Sequence, residues 1–65
     1  MKFVQHYHID EFKKGSVRYH AVTGPENDQP FSIQEGAGLG MQYISKSLLK
    51  GSTPKRVKIT VEWEE

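Results

Sequence analysis

Three histidines and an aspartate are the residues best suited to chemistry in this chain. His6 and His8 lie two positions apart, Asp10 follows at the same spacing, and His20 comes after Lys13-Lys14-Gly15. On a β-strand, positions two apart share a face. If the chain turns back near Lys13, His20 stands opposite or diagonal to the pair on that face. Three imidazoles beside a carboxylate form a donor set suited to zinc. The same residues are also ordinary on the solvent face of a two-layer protein, and a one-residue slip would carry all of them to the other side. Neither a metal nor any other cofactor is expected.

The second candidate is Gly36-x-Gly38-x-Gly40, which opens the stretch leading to "MQYISKSLLKG". Phosphate-binding loops work by aiming backbone N–H groups and a helix N-terminus at the anion. The nucleotide-binding patterns require G-x-x-x-x-G-K-[ST] or G-x-G-x-x-G, and this spacing matches neither. Glycine inside a helix costs about 1 kcal/mol relative to alanine. These three are therefore expected to serve a close approach or a non-helical loop with positive φ.

Catalytic patterns fare no better. A Ser-His-Asp arrangement is defined by geometry and not by composition. The acids fall at a turn, in a loop and near the C-terminus: Asp10, Glu11, Glu26, Asp28, Glu35, Glu62, Glu64 and Glu65. A paired-carboxylate mechanism needs two of them fixed across a cleft. No catalytic residue is assigned, no enzyme is expected, and no small-molecule substrate is expected. Cysteine is absent, which excludes disulfides and thiolate zinc sites.

Charge suggests a surface. The net charge is +1, yet no acid lies between Gly36 and Val61, where Lys46, Lys50, Lys55, Arg56 and Lys58 all fall. Lys13, Lys14, Arg18, Arg56 and Lys58 are candidate nucleic-acid contacts, on a sheet face and at a hairpin tip. Phosphate neutralisation would set their salt dependence. Alternation turns Tyr7, Tyr19 and Trp63 inward, away from any base-stacking role on that face.

A different set suits protein contact. Read as a helix over 38–50, the segment has a core stripe of Ala37, Met41, Ile44 and Leu48. Leu39, Tyr43, Lys46 and Lys50 then line the opposite face. Tyrosine offers large area with a polar tip, a composition that anchors interfaces. The leading expectation is a non-enzymatic binding protein acting through protein–protein contact, as a homodimer or as an adaptor or regulator of a larger target. The alternative is a nucleic-acid-binding module using the basic sheet face.

The elements that must position these groups follow from periodicity. "KFVQHYHI" places Phe3, Tyr7 and Ile9 on one side; "SVRYHAVT" does so with Val17, Tyr19 and Ala21; "KRVKITVEW" with Val57, Ile59, Val61 and Trp63. Such period-two runs predict half-buried strands. Residues 23–30, with Gly, Asn, Asp and two prolines, predict a surface loop, and 31–33 a short extended piece. The expected fold is α+β: one 65-residue domain with order β-β-α-β. Its sheet is three-stranded, mainly antiparallel and centred on the first strand, with the helix on one face. A sheet with one helix is expected to offer little concavity. No stretch approaches the roughly 20 apolar residues of a membrane span, and no signal-peptide core is visible. A cytoplasmic location is expected.

Overall fold

The turn marked by Lys13-Lys14-Gly15 organises the molecule. In the computed structural model, which describes residues 1–65, β1 (Lys2–Phe12) and β2 (Ser16–Val22) form an antiparallel hairpin around it. The Lys13 N–H donates to the Ser16 carbonyl at 2.9 Å and closes the turn. A short β3 (Gln42–Ser45) adds to the far side of β2, and β4 (Arg56–Glu62) adds to the other side of β1. The result is a curled antiparallel sheet of order β3-β2-β1-β4. The first strand is central, as its pattern predicts.

Alternation divides the sheet into two faces. Tyr7, Val17, Tyr19 and Ala21 are buried on the inner face, together with Ala37 from the loop above them. Ile9, Phe31, Leu39, Ile44, Leu49, Val57 and Ile59 rest against this cluster. Gln5 occupies the same inner phase and is also buried. At Ile9/Glu11 the register shifts: Ile9 faces Tyr19 while Glu11 faces Arg18. Asp10 is therefore the additional residue of a β-bulge.

The expected long helix does not form, and the sheet has four strands instead of three. Gln42, Tyr43, Ile44 and Ser45 alternate, and Ile44 and Tyr43 pair with Val17 and Arg18. Both periods fit Ile44, and the strand wins because β2 offers it a ladder of hydrogen bonds. The helix is reduced to one turn, α1 (Lys46–Leu49), capped by Ser45, whose Oγ accepts from the Ser47 N–H at 3.1 Å. It stops at Lys50, in the left-handed region with φ 53°. Of the expected core stripe, only Ala37 is buried; Met41 and Leu48 are 52% and 70% exposed.

A loop covers the inner face where a helix was expected. Residues 31–41 cross the sheet, held by a 3₁₀ turn at Ile33–Glu35 with a reciprocal Ser32–Glu35 capping box. This cover is thin. The radius of gyration is 12.1 Å, against about 11 Å for a compact chain of this length. No helix is long and apolar enough to cross a membrane.

Candidate functional site

On the outer face, His20 stands directly opposite His8, with ring centroids 5.7 Å apart. The two ring nitrogens of His20 are both engaged: Nδ1 lies 3.2 Å from Asp10 Oδ1 and Nε2 3.0 Å from the Asp28 carbonyl. His8 Nδ1 faces the Ile9 carbonyl at 2.9 Å. His6 sits farther along β1, opposite Lys58. No three His, Asp or Glu side chains converge in metal-binding geometry. Instead, the imidazole of His20 clasps the 23–30 loop to the sheet. Arg56 adds a second clasp, donating from Nη1 to the Asn27 carbonyl at 3.0 Å.

The bulge at Asp10 brings two successive acids to one arginine. Arg18 donates from Nε to Asp10 Oδ2 at 2.6 Å and from Nη2 to Glu11 Oε2 at 2.7 Å. Hydrogen bonding by Arg18, and then by His20, holds the Asp10 carboxyl below its ordinary pKa. Lys13 also pairs with Glu11, at 3.3 Å. Lys13 and Arg18 are thus neutralised locally.

The remaining cations of the expected nucleic-acid set are arranged differently. Arg56 and Lys58 form no ion pair and, with His6 and Pro25, border a hollow of about 220 Å³. Lys14, also outside any ion pair, is exposed at the hairpin tip. The five residues do not form one continuous stripe.

The glycine stretch makes no anion cradle. Gly36 takes φ 116° to end the 3₁₀ turn. A Cβ at Gly38 would fall inside the Phe3 ring, so that position serves a close approach. The amides are committed internally: Gly36 donates to Ile33, Ala37 to Ser32, and Gly38 to Gln5 Oε1 at 3.1 Å. The side-chain amide of Gln5 also donates to the Val22 carbonyl at 2.9 Å, joining loop to sheet. Sequence reading missed this role. The signal was a glutamine in the core phase of β1, where a buried polar group requires partners.

Two tyrosines act similarly. Tyr7 donates to the Gly40 carbonyl and Tyr19 to the Pro54 carbonyl, both at 2.7 Å. Burial raises the pKa of both phenols. Together they hold the 31–41 loop and the 51–54 connection to the inner face.

The loop also encloses space that a bare sheet and helix would lack. A cleft of about 400 Å³ lies among Ala21, Phe31, Ile33, Gly40 and Met41, within the roughly 300–1,000 Å³ of ordinary ligand pockets. The expectation of little concavity is corrected here. Its two ionisable neighbours are committed elsewhere: His20 as above, and Glu35 to the Ser32 hydroxyl at 3.0 Å.

Leu39, Tyr43, Lys46 and Lys50 do not share a face. Leu39 rests on the core cluster, Tyr43 stands 59% exposed on β3 beside Arg18, Lys46 opens α1, and Lys50 ends it. Their alignment required a continuous helix, which the β2–β3 pairing replaces.

The sheet has two open edges, the short β3 and the longer β4 on the opposite side. Phe3, Val61 and Trp63 point to the inner face and remain 36%, 36% and 42% exposed, although the 31–41 loop reaches Phe3 through Gly38. The orientation of the β4 backbone follows from its two ends. Met1 and Trp63 exchange hydrogen bonds, the N-terminal nitrogen to the Trp63 carbonyl at 2.8 Å and the Trp63 N–H to Met1 at 2.9 Å. At the other end, the Ile9 N–H donates to Lys55 at 2.7 Å. Hydrogen-bonded and non-bonded pairs alternate in an antiparallel ladder. Val57, Ile59 and Val61 therefore turn their N–H and C=O groups to β1. Arg56, Lys58, Thr60 and Glu62 turn theirs outward, where no strand follows.

Comparison with protein-family models, with curated proteins and with solved structures finds no match.

Proposed function

We propose that the protein is a small non-enzymatic binding protein that acts through protein–protein contact, and that the β4 side of the sheet makes the contact. One observation carries this reading: a seven-residue strand with an unpaired edge, beside the partly exposed apolar side chains of Phe3, Val61 and Trp63. An open edge is a template for another strand, and exposed apolar groups beside it add area that is favourable to bury. A partner would also relieve a fold whose buried cluster is small. The internal engagement of His20, Glu35 and the Gly36 and Gly38 amides supports a binding role over catalysis.

Backbone hydrogen exchange tests the proposal. Amides in 56–62 that face outward should exchange quickly in the isolated chain at low concentration and slowly in the complex the protein enters. Amides of β2 should be protected in both states. A chain recovered from its host cells as a single unassociated species, with rapid exchange along β4, would end this reading.

The hollow bordered by His6, Arg56 and Lys58 favours a second reading, contact with nucleic-acid phosphates. Replacing Arg56 and Lys58 with alanine should then weaken oligonucleotide binding and reduce its salt slope by about one unit per lost phosphate contact. No retardation of single- or double-stranded oligonucleotides at low salt would retire it.

A further inference from the structure

We infer that the partner at the β4 edge is a second copy of this chain, paired antiparallel about a two-fold axis through Ile59. The inference rests on the protein-contact reading and adds the occupant and the register. A two-fold axis perpendicular to the sheet keeps inner faces on one side, so residues of like phase must meet. With Ile59 opposite Ile59 of the second copy, Lys58 meets Thr60, Val57 meets Val61, and Arg56 meets Glu62. The register engages all seven residues of β4.

Two independent features select this register. The outward backbone groups belong to Arg56, Lys58, Thr60 and Glu62. Centring on Ile59 makes these residues the hydrogen-bonded pairs, so every outward N–H and C=O of the strand finds a partner. The side chains agree: each Arg56 gains a Glu62, and the apolar residues Val57, Ile59 and Val61 lie side by side on the inner face. Just beyond them Trp63 meets Lys55, an indole beside an ammonium group. Sliding the axis to Lys58 sets lysine against lysine. Sliding it to Thr60 leaves Arg56 and Val57 with no partner inside the strand. β4 contains no proline or glycine to interrupt the pairing.

The absence of cysteine from the chain makes the register directly readable. Ile59 faces its copy as a non-hydrogen-bonded pair, with Cα atoms about 4.5 Å apart, inside the span of about 4.4–6.8 Å a disulfide requires. Ile59→Cys should therefore give a covalent dimer on mild oxidation of the full chain. Val57→Cys and Val61→Cys should each stay uncrosslinked alone and crosslink when mixed. Separately, Arg56→Glu or Glu62→Arg should weaken the dimer about threefold to tenfold in sedimentation, and the double variant should restore it, since cross-strand charge pairs change sign together. Self-crosslinking of Val57→Cys, or a double variant weaker than both singles, would overturn the register. A wild-type chain that sediments as a monomer at millimolar concentration, with no Ile59→Cys crosslink, would overturn the dimer. If such a monomer still gained β4 protection from a different protein, the contact function would stand and only the second copy would be lost.

Discussion

β2 and β4 are matched strands with opposite fates. Each has seven residues, each alternates apolar with polar, and each pairs antiparallel with β1. Yet β2 is buried almost throughout, while β4 is half-buried at best. The difference lies in what surrounds them. β2 has β3 along its far edge, the 31–41 loop above it, and the His20 clasp beneath. β4 has β1 on one side and nothing on the other. Alternation therefore reports which way side chains point and is silent on whether anything covers them.

This contrast can be broken or sharpened by mutation. The largest effect is expected on the β2 side: Tyr19→Ala removes a fully buried ring and should cost about 3–5 kcal/mol, enough to unfold a domain this small. Loss of the circular dichroism signal at room temperature would show it. Its counterpart Ile59→Ala should cost only about 1–2 kcal/mol in the monomer, because that side chain is only partly buried. Equal shifts in denaturation midpoint for the two variants would mean that β4 is covered after all.

A smaller effect is expected at the bulge. Asp10 has a folded pKa below its ordinary 3.8, so its stabilising contribution is complete above that value and is lost as pH falls beneath it. Asp10→Asn should cost about 1 kcal/mol at neutral pH, and the gap from wild type should narrow as pH falls below 3.8. Urea midpoints across that range measure it; a gap that widens in acid would contradict the assignment. The smallest effect belongs to Leu48. Its exposure predicts that Leu48→Ala stays within about 0.5 kcal/mol of wild type. A larger loss in a thermal melt would restore it to the core.

Much of the architecture was legible in the sequence. The hairpin at 13–15, the central position of β1 and the extent of β4 follow from period-two runs bounded by glycine and proline. The helix over 38–50 did not, because Ala37, Met41, Ile44 and Leu48 satisfy a period of 3.6 while Gln42–Ser45 also satisfies a period of two. Local pattern cannot decide between them when a neighbouring strand supplies the hydrogen bonds. The shared face expected for Leu39, Tyr43, Lys46 and Lys50 depended on that helix. A three-stranded sheet centred on β1 would leave both β2 and β4 as edges; β4 is one, while β3 covers the far side of β2. The 42% exposure of Trp63 was not legible, because alternation gives a side chain's direction and not its cover. The engagement of His20 by Asp28 lay equally beyond reach, as it depends on how a loop folds back.

The hydrogen bonds joining Met1 and Trp63 also carry a kinetic meaning. The β1–β2 hairpin closes a loop of a few residues, whereas β1–β4 pairing must bring together segments from opposite ends of the chain. Loop-closure entropy and contact order both favour the hairpin first, with β4 docking onto a sheet already begun. Substitutions in β4 should then leave the folding rate nearly unchanged and speed unfolding, while those in the hairpin slow folding. On this order β4, with its open edge, is the last strand to dock. A nascent or partly unfolded chain would lack it, and the capacity to pair would arrive only with the completed fold.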